Sequence, residues 1–437
     1  MKTTLTTLAL ITMLALLPGW NGIFAQDPYP LDFHAYTYNP VLTRGNPGSY
    51  DADLLLGAYA FWYDGYFYLW YTGNAGICYA WSHDGYEFHK GMENPIFTPS
   101  LSGFDSYQVS GPVFLETTTE WVMYYCARED PGWGPGQFIG RATAGSLIGP
   151  WERSPDPVLS VGSDGEWDMG FITPHNVFPL DTGGFIMFYS ASDDIVIGLY
   201  KIGMATSPDG IIWTKYNDPN TPFAPYEESD PVLWTGDPGE WDDAMAAYGT
   251  VIKKSDHYEI YYTGSQNGVE GEIGFASSTD GITWQKWPGN PIYIPADDPY
   301  AVSINSLFFE LPSLLVYNDV VFMYYDYGIF ENSIGMATAD VWTRAGENRS
   351  TNADLRVTIY PNPVYQSTTF SYSLKEPGEV TIQIFDSFGR LVDEPLNAYQ
   401  QKGEQQVYWN AEGYPAGIYF YRLRAGNKEG NGKIVKW

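Results

Sequence analysis

The chain has 437 residues, among them 36 Tyr, 23 Phe, 16 Trp, 46 Gly and 31 Pro, a composition of aromatic strands punctuated by turns and a length that suits two to three domains. Its 22 Lys and Arg stand against 52 Asp and Glu, a net charge of −30. That balance argues against nucleic acid as a partner, since so few cations cannot neutralise a run of phosphates.

Residues 1–25 read as a secretory signal. Lys2 supplies the positive end, Leu8 to Leu17 an apolar run too short to span a bilayer, and Ile23-Phe24-Ala25 a cleavage site that leaves Gln26 first. No later stretch reaches the roughly 18 apolar residues of a membrane helix, so no membrane span is expected.

A three-part pattern then recurs five times between about residues 50 and 340. A turn ends in an aromatic residue and an aspartate at Tyr50-Asp51, Phe104-Asp105, Trp167-Asp168 and Trp241-Asp242; in the fifth unit Asp297-Asp298 sits in about that place. An aromatic run follows, with tyrosines at Tyr71, Tyr125, Tyr189, Tyr262 and Tyr325. A short strand comes third, as in Ile202 to Ala205 and Ile334 to Ala337. In three units a Ser-x-Asp-Gly turn leads to a fourth strand: Ser82 to Gly85, Ser207 to Gly210 and Ser278 to Gly281. Fourth strands end near Asn94-Pro95-Ile96, Asp156-Pro157-Val158, Asp230-Pro231-Val232 and Asn290-Pro291-Ile292. Four antiparallel strands repeated five times predict a five-bladed β-propeller over 26–342, in an all-β chain.

These motifs resemble the five-bladed furanosidase-type propellers, the group of arabinanases, xylosidases and invertase-like enzymes, and mannoside-phosphorylase propellers look similar. The resemblance covers about residues 36 to 342. It implies a secreted glycoside hydrolase acting on plant or algal polysaccharide. A non-catalytic glycan-binding propeller displayed on the cell surface is the alternative.

Residues 343–353 are polar and turn-prone and read as a linker. From 354 to 437, alternation at period two predicts a small β-sandwich. Four pieces stand in order here: Tyr360 to Pro363, Phe385-Asp386 with Gly389-Arg390, Tyr414 to Gly417 running on to Leu423, and the basic end Lys433 to Lys436. They resemble the C-terminal sorting domain of the type IX secretion system of Bacteroidetes. The resemblance implies passage through that machinery, then attachment to the outer membrane surface or release.

Zinc, phosphate-loop and dinucleotide signatures are missing, and the five histidines are scattered. Carboxylates and aromatics remain, the equipment of glycoside chemistry. In a propeller the turns before the innermost strands and the loops between second and third strands surround one pocket. That topology gathers Asp51, Asp53, Asp105, Glu166, Asp168 and Asp243 with Arg128, Glu272 and Asp326. An aspartate present in every blade fits turn capping. The furanosidase resemblance instead implies base, orienting aspartate and general acid at Asp51 or Asp53, at Asp105, and at Glu166 or Asp168. The expectation is that Asp51, Asp53, Asp105, Asp168 and Asp326 converge on one axial cavity. His175 breaks the repeat as a core histidine, a general acid or a sugar contact. Arg128 and Trp133 read as sugar contacts or as ordinary loop residues, and Asp326 replaces the Thr, Cys or Ser of the other blades. No cofactor is expected, although the resemblance leaves an axial calcium open. Cys78 and Cys126 fit either a disulfide or two buried thiols.

Overall fold

The computed structural model describes residues 30–131, 137–194, 198–266, 268, 270–306, 308–318, 320–328, 333–340, 357–360, 362, 364–386, 390–415, 417–426 and 428–436. The signal segment at 1–25, the linker at 343–353 and Trp133 lie outside them.

Five antiparallel sheets follow in chain order. Their first, innermost strands are Leu55–Tyr63, Gln108–Glu116, Phe171–Pro179, Met245–Lys253 and Glu310–Tyr317. Their second strands are Tyr66–Gly73, Trp121–Arg128, Phe185–Ser192, Tyr258–Ser265 and Val320–Asp326, and their third are Gly76–Ser82, Gln137–Ala144, Lys201–Ser207, Glu272–Ser278 and Ser333–Asp340. Each innermost strand packs on that of the next sheet, and the fifth returns to the first. The sheets therefore close a ring, and the chain is a five-bladed β-propeller.

Local chemistry makes the hairpins. Ser207 Oγ accepts the Gly210 amide at 2.8 Å, and Asp209 Oδ1 accepts the Ile211 and Ile212 amides, each at 2.9 Å. Gly210 sits at φ +76°, where a side chain would be strained. Ser82-Asp84 and Ser278-Asp280 build the same turn.

The fifth blade departs from a simple repeat. Its third strand pairs with His34–Ala35 and Leu42–Thr43 from the N-terminal side of the ring. Asn39 closes the seam by bonding both backbone groups of Met336 at 2.9 Å. Asn94 does the same to Tyr79, and Asn290 to Phe275. Asn39-Pro40-Val41 is thus the fifth copy of the Asn-Pro-Ile motif, placed ahead of the first blade.

The aromatic-aspartate turns are locks inside the blades. Asp51 accepts from the Tyr71 hydroxyl at 3.0 Å and pairs with Lys90. Asp105 accepts from Tyr125 at 3.0 Å and from Arg153 Nε at 2.8 Å. Asp242 takes Tyr262 at 2.9 Å and Lys286 at 2.6 Å, and Asp168 takes Lys215 at 2.6 Å and Ser229 Oγ at 3.3 Å. In the fifth blade Asp298 fills the position. It caps the short helix Pro299–Ile304 and accepts from Tyr325, Tyr327 and Asn39. These tyrosines are wholly buried, and a buried hydroxyl needs a partner.

The C-terminal strands form a three-stranded sheet (Val357–Tyr360, Ser367–Leu374, Gly403–Asn410) and a four-stranded sheet (Gly378–Asp386, Leu391–Gln400, Gly417–Ala425, Lys428–Lys436). Alternate residues Val380, Ile382 and Ile384 meet Phe370, Trp409 and Leu423 in one core, as period-two patterning requires. Among the described residues no helix is long and apolar enough to cross a membrane. Cys78 and Cys126 are buried free thiols.

Candidate active site

Each innermost strand carries a register shift near its start, at Leu56/Tyr59, Ser110/Val113, Pro174/Asn176, Ala247/Thr250 and Glu310/Ser313. A bulge bends the strand and frees a backbone amide from the ladder. Gly57, Gly111, Tyr248 and Leu311 take left-handed conformations there, at φ 73°, 53°, 49° and 54°. For a tyrosine and a leucine this is strained backbone, held only where the surroundings fix it.

The fixing group comes from the preceding blade. Gly111 N donates to Thr72 Oγ1 at 3.1 Å, Tyr248 N to Ser190 Oγ at 2.8 Å, and Leu311 N to Thr263 Oγ1 at 3.1 Å. Gly57 N donates to Asp326 Oδ2 at 2.6 Å and closes the ring. Thr72, Ser190, Thr263 and Asp326 are therefore staples between blades. Cys126 holds the equivalent position in the second blade, its thiol pushed up to about 11 by burial.

The five bulges surround an axial cavity of about 410 Å³, open solvent at its mouth included. Gly57, Gly111, Pro112, Pro174, Leu311 and Pro312 give it an apolar wall, and His175, Tyr248, Thr173 and Thr250 the polar groups. Apolar walls with a few placed polar groups suit a small ligand. His175 Nε2 bonds Ser190 Oγ, and its ring stands edge-on to Tyr248 at 6.1 Å. Burial pushes its pKa down to about 3, so the imidazole is neutral. It can hydrogen-bond a ligand at the cavity wall.

Beside the cavity, strand register sets Glu310 opposite Asp326. Glu310 directly precedes the cavity-lining Leu311, is 8% exposed, and has no hydrogen-bond partner among the described residues. Burial pushes its carboxyl up to about 7. Asp326 is pushed well above the carboxylate range by burial and then by Glu310, with the Gly57 and Ala58 amides pulling the other way. Burial holds both carboxyls above the ordinary carboxylate range, so the pair favours its protonated forms. The negative field of Glu310 reaches Tyr248 and Tyr200, whose rings lie 5.7 Å apart.

The other expected site residues sit elsewhere, and the convergence of aspartates needs correcting. Asp51, Asp105 and Asp168 do not line the cavity, because each is held within its blade by the cation described above. Asp53 is exposed, its amide directed at Asn74 Oδ1 at 3.4 Å. Glu166 is buried and accepts the Glu228 amide at 3.1 Å; Asp243 accepts the Gly239 amide at 2.7 Å. Glu272 is half-buried, raised by burial and by Glu270. Arg128 donates to Gln108 at 3.2 Å and lies over Tyr107 at 5.3 Å. None of these lines the cavity. Asp326 stands behind the cavity wall as a staple, and Glu310 was not among the expected residues.

The propeller is similar to a glycosyl hydrolase from Bacteroides ovatus at 18% identity, over 73% of this chain and 96% of that one, with a TM-score of 0.55. It is also similar to a β-1,2-mannobiose phosphorylase from Listeria innocua at 16% identity, over 71% and 97% of the two chains, with a TM-score of 0.51. At this identity the likeness is one of fold. The family model for the secretion system C-terminal sorting domain matches residues 358–437. That tail implies secretion and surface attachment. No curated protein matches the chain.

Proposed function

We propose that the protein is an exported glycoside hydrolase-like propeller that takes a sugar unit of plant or algal polysaccharide at the axial cavity. Glu310 is its proton donor, and Asp326 is the buried staple opposite it, behind the cavity wall. The observation that carries this reading is the buried Glu310–Asp326 pair beside a cavity walled by His175 and Tyr248. Glycoside cleavage needs a carboxylic acid to protonate the leaving oxygen, the role open to Glu310. A carboxyl raised toward neutral pH retains the proton it must give. Export supports the reading too, since a polysaccharide is met outside the cell.

Non-catalytic glycan binding is the second reading. One observation favours it: none of the cavity-lining residues is a carboxylate. A panel of aryl glycosides and polysaccharides, followed both for released reducing ends and for binding by calorimetry, separates the two. Turnover supports hydrolysis and binding alone supports the second reading. Neither response to any member of the panel overturns both.

The tail gives a separate expectation. Deleting residues 354–437 should leave a folded propeller that accumulates in the periplasm of its native host. Immunodetection on intact cells checks this, and a truncated protein that still reaches the surface contradicts it.

A further inference from the structure

The turn aspartates claim Lys90, Arg153, Lys215 and Lys286, one carboxylate to each cation. Lys201 is different. It is 7% exposed, yet among the described residues no carboxylate lies within 4.0 Å of its ammonium and no hydrogen bond involves it. The ammonium lies 6.0 Å from the Trp167 ring centroid and 5.8 Å from that of Trp234. Trp167 is 2% exposed and donates Nε1 to Ser229 Oγ at 3.0 Å, so it is a fixed wall. Trp234 is 40% exposed, with Tyr226 edge-on to it at 5.0 Å.

The position is at the functional end of the blade. Lys201 opens the third strand of blade three, opposite Ala191. Its chain neighbour Tyr200 packs on Tyr248, which lines the cavity. Asp193 is exposed and its charge favours the ammonium, whereas burial opposes it. A buried ammonium is expensive unless a counter-charge completes it. Two indole faces recover only part of that cost. An oxyanion would complete the site, and the exposed face of Trp234 offers a stacking wall for the sugar ring that carries it.

We infer that Lys201, Trp234 and Tyr226 form a subsite for a sugar bearing a carboxylate or sulfate group, so that the polysaccharide met by the cavity is anionic. The inference rests on the glycan reading proposed above. The −30 chain repels such a polymer at long range, but salt screens that repulsion beyond about 8 Å at physiological ionic strength. Close contact at Lys201 then decides the selectivity.

The test is calorimetry on the full chain with three probes: trigalacturonate, a sulfated galactotriose and neutral galactotriose. The wild type should bind at least one anionic probe about tenfold or more tightly than the neutral one. Whichever anion wins separates carboxylate from sulfate recognition. Lys201→Met keeps the apolar stem and removes the costly buried charge, so it should abolish that preference while leaving neutral-sugar affinity in place and Tm unchanged or higher. Trp234→Ala, which retains the cation, should weaken all sugars that the wild type binds, and it serves if Lys201→Met fails to fold. Equal affinity for charged and neutral probes, or an anion preference that survives Lys201→Met, overturns the inference and leaves the glycan reading standing. Failure of these probes and of the wider polysaccharide panel overturns both.

Discussion

Asp168→Ala should lower the unfolding free energy by about 3–5 kcal/mol, the usual cost of leaving one half of a buried ion pair uncompensated. Asp168 is 0% exposed and its partner Lys215 13%, the most buried such pair in the propeller. The change strands the Lys215 ammonium and takes an acceptor from Ser229. A fall in Tm of roughly ten degrees follows for a domain of this size. Adding Lys215→Met removes the stranded charge and should return part of the loss. Turnover per folded molecule should be unchanged, because Asp168 acts within its blade and not in the cavity. Calorimetric unfolding with activity normalised to the folded fraction checks both parts. Lost turnover at an unchanged Tm would restore Asp168 as a catalytic residue.

Glu310→Gln should act in the opposite sense, costing about 10²- to 10⁴-fold in turnover, the range for a general acid, with the fold intact. Gln matches Glu in shape, and Glu310 has no hydrogen bond to lose. In the wild type, activity should fall as pH rises through about 7, where Glu310 gives up its proton. Stability should carry the same signature. The folded-state pKa lies above the ordinary 4.5, so the folded chain binds the extra proton. The group's contribution is full below about 4.5 and is lost as pH rises toward about 7. Denaturant titrations across that window should show the slope in the wild type and a weaker one in Glu310→Gln. This second readout needs no substrate. A wild-type stability that is flat across the window contradicts the burial of Glu310.

Much of the propeller was legible because the repeat is written in turn chemistry. The Ser-x-Asp-Gly turns and the aromatic runs point to hairpins whatever surrounds them. Recurrence also pointed the right way for the aspartates: a residue copied into four blades sits where each blade needs the same bond. The matching signal went unread, since Lys90, Arg153, Lys215 and Lys286 recur on the short outer strands and are the partners. The closure of the ring was also written in the sequence. Asn39-Pro40-Val41 is an Asn-Pro-Ile motif with no blade of its own, and the next such triplet after Asp340, Asn362-Pro363-Val364, falls in the C-terminal tail.

The carboxyl pair was harder to see. Asp326 stood out because it breaks the Thr, Cys, Ser, Thr series. Glu310 sits inside the apolar run Phe308-Phe309-Glu310-Leu311-Pro312, where a search of turns and loops passes over it. Only the pairing of two strands sets the two acids opposite each other, and a bulge shifts that pairing just beyond Glu310. The register is a tertiary property, fixed by the staple from Asp326 to Gly57 across the seam of the ring.

The most direct test is a crystal structure of the protein with a sugar identified by the glycoside and polysaccharide panel. The account predicts electron density for a sugar ring in the axial cavity, in contact with His175 and Tyr248, with Glu310 the nearest carboxyl group to its glycosidic oxygen. A sugar seated over the Asp51, Asp105 or Asp168 turns, with the axial cavity empty, would contradict it.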